Sequence, residues 1–143
     1  MHYSKTPGDW RVLDLEDRFM IHVGPVMVVN RPEHPKEPIR TGFKVADFHC
    51  NRIRICHGGM LSTLLDIALG MSASVMLAKG GPLSTISMTM DFLQSAYLGE
   101  WVESRVRLVH ATRRMAFVEG LLGTGDKVIL RGNAIYRRPS ETA

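Results

Sequence analysis

The chain contains only two cysteines, Cys50 and Cys56. A disulfide framework is therefore not indicated, and a reducing, cytoplasmic setting is the default expectation. Long uninterrupted apolar runs are missing as well. The longest, Met60 to Leu77, is broken by Ser62, Thr63, Asp66, Gly70, Ser72 and Ser74, so no membrane partner is expected. The N-terminus lacks the basic-then-apolar pattern of a secretory leader. Clustered cations interleaved with aromatics are also absent: the net charge of +4 is scattered, and aromatics make up 7% of the residues. That is not the footprint of nucleic-acid binding, and no nucleic-acid partner is expected. A modest positive field still suits a small molecule that carries phosphate.

What is present is the composition of one globular domain: 143 residues, 45% hydrophobic and 22% charged. Residues 1–23 read as an N-terminal arm or short helix, with Leu13, Leu15, Phe19 and Met20 set among charges. Residues 24–143 read as a single domain. Gly24 to Asn30 is a Val-rich strand, the proline-dense Arg31 to Pro38 must be a loop, and Ile39 to Asp47 is a second strand. One long helix starts at Gly58 or Gly59 and runs to about Ala78. Lys79-Gly80-Gly81-Pro82 ends it with a cation, then glycines, then proline. Because this helix is apolar nearly all round, it should be enclosed. Four alternating runs follow: Ile86 to Phe92, Val102 to Leu108, Ala116 to Leu122 and Val128 to Tyr136. The short turns between them predict an antiparallel meander. A sheet of that kind wrapped around one long central helix is the α+β hotdog fold.

Within the helix, Asp66 is the only charged residue between His57 and Lys79, with Leu64, Leu65, Ile67 and Leu69 around it in sequence. An unpaired carboxylate in apolar surroundings is costly, which makes it a candidate for chemistry. The plainer alternative is that Asp66 points to a crevice and bonds to Ser62 one turn earlier. Gly58 and Gly59, where a loop enters the helix, allow close approach to first-turn N–H groups that have no partner inside the helix. Such an N-terminus polarises a carbonyl and stabilises an oxyanion, though a glycine pair there also serves as a simple tight turn. His57 either orients this loop or caps it. His49, Cys50, Cys56 and His57 offer four donors, but their spacing does not match structural zinc sites, so no metal is expected.

These residues carry a resemblance. His49-Cys50-Asn51, then His57-Gly58-Gly59-Met60, then Asp66, resembles the signature of phenylacetate-degradation (PaaI-like) hotdog acyl-CoA thioesterases. The runs Thr85 to Leu93, Ala96 to Glu100 and Arg114 to Glu119 are similar to the same family, so the likeness spans about Gly24 to Tyr136. The resemblance implies hydrolysis of an acyl thioester to a carboxylic acid and free coenzyme A, the latter belonging to the substrate, with no separate cofactor. It implies Asp66 as general base or nucleophile, the Gly58 N–H on the thioester carbonyl, and Asn51 positioning substrate or water. The hydroxyl expected at the start of the following strand is Thr85 when aligned backward from Leu98-Gly99, and Ser84 when counted forward from Asp66. Arg113 and Arg114, with Arg105, Arg107, Arg137 and Arg138, are candidate partners of the coenzyme A phosphates. A non-catalytic acyl-CoA-binding domain and a hotdog dehydratase or hydratase are the alternative readings.

Helix geometry adds an expectation of its own. Gly58 and Asp66 lie eight residues apart, roughly 12 Å along one helix. Both must come within about 3 Å of one reacting centre. A two-fold partner helix running antiparallel meets that demand, with Gly59, Ser62, Thr63, Gly70 and Ala73 small enough for close approach. A homodimer is therefore expected, and the family resemblance implies that such dimers pair into a dimer of dimers.

Overall fold

The computed structural model describes Tyr3 and residues 9–78 and 81–140; Lys79 and Gly80 of the expected helix stop lie outside the described residues. The chain runs β1 (Arg11–Val12), α1 (Arg18–Val23), β2 (Met27–Asn30), β3 (Ile39–Lys44), a 3-10 turn (Asp47–His49), α2 (Gly58–Met76), β4 (Ser84–Phe92), β5 (Trp101–Ala111), β6 (Met115–Thr124) and β7 (Lys127–Arg137). Its strands form one seven-stranded sheet in the order β1-β2-β3-β5-β6-β7-β4, antiparallel throughout. This is the hotdog architecture, with α2 as the long central helix.

The expected meander holds for β5, β6 and β7 but not for β4. Instead of pairing with β5, β4 crosses to the far edge and pairs with β7, from Ser84 opposite Arg137 to Phe92 opposite Leu130. The Tyr97-Leu98-Gly99 turn is therefore no hairpin. It belongs to a crossing segment in which Leu93 N–H bonds to Ile129 O and Tyr97 bridges Ile55. As an edge strand, β4 is largely exposed, including Ile86 and Phe92, with Met88 and Met90 packed against the core.

Two glycines set how closely α2 approaches the sheet. Gly120 on β6 and Gly132 on β7 are register partners. A Cβ on Gly120 would lie 2.8 Å from Leu69 Cδ2, and one on Gly132 would lie 2.7 Å from Leu65 Cδ2. The two leucines, one and three residues from Asp66, thus press into the hollow left by absent side chains. The same Cβ on Gly132 would also meet the Thr89 carbonyl at 2.8 Å, which cannot rotate away. Gly132→Ala should therefore destabilise the fold by about 1–3 kcal/mol through overpacking, read as a lower urea midpoint at unchanged slope.

The expectation that α2 is enclosed needs correction. Met60, Leu61, Leu64, Leu65, Ala68, Leu69, Ser72 and Ala73 are buried, whereas Ser62, Thr63, Asp66, Ile67, Gly70, Met71, Ser74 and Val75 lie on the more open side. By length and composition α2 passes as a membrane-crossing helix, with a mean hydropathy of 1.4. Its packing is that of a core helix laid across a sheet.

Candidate active site

Side chains adjacent in sequence point about 100° apart on a helix, so the leucines flanking Asp66 do not surround it. Leu64, Leu65 and Leu69 are fully buried against the sheet, and Asp66 projects, half-buried, from the other side. The alternative bond to Ser62 is not made: Ser62 Oγ donates to Gly58 O at 2.7 Å. Asp66 Oδ1 instead accepts from Thr85 Oγ1 at 2.9 Å and from Tyr136 OH at 2.8 Å. The same tyrosine hydroxyl lies 2.9 Å from the Asp66 carbonyl. Oδ2 takes no hydrogen bond among the described residues. Of the two candidate hydroxyls, Thr85 reaches the carboxylate, while Ser84 sits opposite Arg137 at the strand end.

Tyr136 is absent from the sequence expectations as a site residue, although its place on the inward face of β7 is legible there. It is buried beneath α2, and burial, followed by the negative charge of Asp66, pushes its phenol above the usual tyrosine range. It therefore stays protonated, a permanent donor to the carboxylate. Asp66, Thr85 and Tyr136 stand at one end of a cavity of about 440 Å³ between α2, α1 and the start of β4.

The Gly58 end of α2 is separate. His57 is the N-cap, but its exposed side chain makes no capping bond; its backbone N–H bonds to His49 O. Neither the Gly58 nor the Gly59 N–H meets an acceptor among the described residues. Space above Gly59 is open, since a Cβ there would have nothing within 4 Å. Asn51 lies in the adjoining loop, where its Oδ1 accepts from the N–H groups of Ile53 (3.0 Å) and Ile55 (3.2 Å). That leaves the Asn51 amide NH₂ unbonded among the described residues. No hydrogen bond joins Asn51, His57 or Gly58 to Asp66 within one chain.

Of the candidate arginines, several are already engaged. Arg107 pairs with Glu119, Arg138 donates to the carbonyls of Thr112 and Ala78, and Arg105 packs over the Tyr3 ring beside Glu37. Arg113 and Arg114 are exposed in the β5–β6 turn, their side chains unpaired among the described residues, at the end of the sheet where Ala116 pairs with Tyr136. His49 uses both ring nitrogens inside the fold, with Nδ1 accepting from Ala46 N–H and Nε2 bonded to the Val23 carbonyl. Burial pushes the Cys56 thiol up to about 12, with Cys50 adding to the shift, so Cys56 is not a poised thiolate.

A seven-stranded antiparallel sheet with one long central helix, its carboxylate facing a cavity, defines a hotdog-fold protein. The Thioesterase superfamily model matches residues 54–131, and the chain belongs to that superfamily, a thioester hydrolase by class. PA0474 of Pseudomonas aeruginosa, an esterase by name, is 30% identical over 96 residues, covering 67% of this chain and 72% of that protein. Acyl-coenzyme A thioesterase 13 of Mus musculus is 26% identical over 91 residues, covering 62% of this chain and 64% of its own length. Among solved structures, the phenylacetic acid degradation protein PaaI from Thermus thermophilus is similar at 25% identity and a TM-score of 0.72, covering 86% of this chain and 100% of that one.

Proposed function

We propose that the protein hydrolyses acyl-CoA thioesters in the cytoplasm, with Asp66 as the carboxylate that acts on water or on the thioester carbon. The observation that carries this reading is the tethering of Asp66 Oδ1 by Thr85 and Tyr136, with Oδ2 left without a protein partner among the described residues. Two neutral donors on one oxygen fix the carboxylate plane, so the other oxygen meets a water or carbonyl without rotational search. The unpartnered N–H groups of Gly58 and Gly59 supply what an acyl transfer needs at the carbonyl oxygen as it gains charge. The name of the mouse relative supports coenzyme A as the thiol. Release of free CoA from a panel of aliphatic and aromatic acyl-CoA esters, ranked by kcat/KM, tests the proposal. A folded protein that turns over none of them overturns it.

Tyr136 acts in this scheme as a positioning residue. Hydrogen bonds to charged groups are worth about 1.5–3 kcal/mol, so Tyr136→Phe should lower kcat roughly 10–100-fold. KM should change little and the melting temperature by no more than a few degrees. A variant in which KM rises while kcat holds would place the hydroxyl in substrate binding instead.

A further inference from the structure

The cavity at Asp66 has an end that the thioesterase reading leaves unexplained. Along α2 it is lined by Asp66, Ile67, Gly70, Met71, Ser74 and Val75, a strip of one helix face running away from the carboxylate. From Asp66 to Ser74 this strip is about 12 Å long, at about 1.5 Å per residue. It is apolar between its ends, through Ile67, Gly70 and Met71. Its roof is the N-terminal segment, through Leu15, Asp17 and Met20. Toward its far end Ser74 and Gly81 both line it and are clipped together, Ser74 Oγ donating to Gly81 O at 2.8 Å and accepting from Gly81 N–H at 3.1 Å.

The roof is anchored rather than loosely draped. Asp17 caps α1 by accepting from Met20 N–H at 3.1 Å, Met20 is buried in the main core, and Val23 at the other end of α1 is bonded by the buried His49. None of Leu15, Asp17 or Met20 falls within residues 54–131, so the family match does not specify this wall.

We infer that α1, with Leu15 and Asp17 just before it, forms an acyl gauge: the substrate's tail is an unbranched aliphatic chain of medium length, laid along α2 under Leu15 and Met20 and stopped at the Ser74–Gly81 clip. The length of the strip argues for a chain over a ring, because it spans more than two helical turns, with the Tyr136 ring beside Gly70 and its hydroxyl on Asp66. This inference rests on the proposal that Asp66 is where the thioester reacts.

Leu15 and Val75 line the cavity from opposite walls and are both more than half exposed, so substitutions there spare the core. Leu15→Trp and Val75→Trp fill the channel, and Leu15→Ala widens it. For the full-length protein, kcat/KM is measured with acetyl-, hexanoyl-, decanoyl- and palmitoyl-CoA. Binding of the corresponding S-alkyl-CoA thioethers, which cannot be hydrolysed, is measured by calorimetry. The wild type should bind the thioethers more tightly as the alkyl chain grows to medium length, then gain nothing. Each Trp variant should cut the decanoyl-to-acetyl ratio of kcat/KM by about tenfold or more, as expected for the lost burial of two or more methylenes. Leu15→Ala should move the optimum to longer chains. A merely structural role for Leu15 would scale all substrates alike and leave the ratio fixed. An unchanged ratio in both Trp variants, or thioether binding indifferent to chain length, overturns the gauge while hydrolysis still stands. Length-dependent thioether binding abolished by Leu15→Trp, with no turnover of any ester, supports the gauge and sinks the hydrolytic reading instead.

Discussion

Asp66→Asn should lower kcat by about 10²–10⁴-fold while leaving KM nearly unchanged. The substitution is close to isosteric, and the amide oxygen can still accept from Thr85 Oγ1 and Tyr136 OH, the two bonds that fix the carboxylate. What disappears is the anionic oxygen that takes a proton from water or attacks carbon. Substrate contacts elsewhere are untouched, so the loss belongs to the transition state rather than to binding. Folding should survive, because Asp66 stands on the open side of α2 and contributes nothing to the leucine face beneath it. Near-wild-type turnover by a folded Asp66→Asn protein would remove this carboxylate from the reaction. Single-turnover kinetics and mass spectrometry on the wild type separate the two chemical routes. A nucleophilic Asp66 forms an acyl anhydride that adds the acyl mass to the enzyme, and a general base adds nothing.

The sequence carried the fold's elements further than their arrangement. Strand periodicity places Val118, Gly120, Leu122, Ala134 and Tyr136 on inward faces, and all five are buried. Strand order is not legible, because alternation says which face is buried and nothing about which strand lies alongside. A short turn after β4 suggests a hairpin, yet β4 pairs with β7, some 44 residues on at Thr89 and Asn133. Tyr136 eludes the site expectations for the same reason. Its bond to Asp66 spans 70 residues and exists because α2 packs over β7, whose pairing with β4 brings Thr85 opposite Tyr136. Thr85 rather than Ser84 meets Asp66 because adjacent strand residues face opposite ways, so only one can look at α2. Asp66 itself emerges from a premise that the helix corrects, since crowding by leucines in sequence is not crowding in space. The arginines are less legible, as Arg107 and Arg138 illustrate. Scattered cations on strands pair with the nearest carboxylates and carbonyls, so counting them says little about which stay free for phosphate.

Co-refolding of two inactive variants should restore activity. Gly58 and Asp66 stand about 12 Å apart on one straight helix, too far to serve one thioester carbonyl together. An antiparallel two-fold pair of α2 helices that matches Gly58 with the partner's Asp66 centres on Ser62. The contact is narrower than the small residues of the sequence suggest, because Ala73 faces the sheet and Gly70 lines the cavity beside Tyr136. Gly59, with open space above it, and the half-buried Ser62 and Thr63 remain available. They occupy the first half of the helix, whereas α1 roofs the strip from Ile67 to Val75, so roof and partner helix need not compete. Gly58→Val alone should cost about 10²–10³ in kcat by blocking the N–H donors. Its Cβ would also come within 3.0 Å of Phe92 Cε1, so Phe92→Ala is the control and should stay within a few-fold of wild type. Random mixing of Asp66→Ala with Gly58→Val subunits yields half heterodimers, each with one intact and one doubly damaged site, and about a quarter of wild-type activity should return. Subunit exchange proven by mass spectrometry with no recovered activity would assign both groups to one chain, and a fully active monomer would do the same.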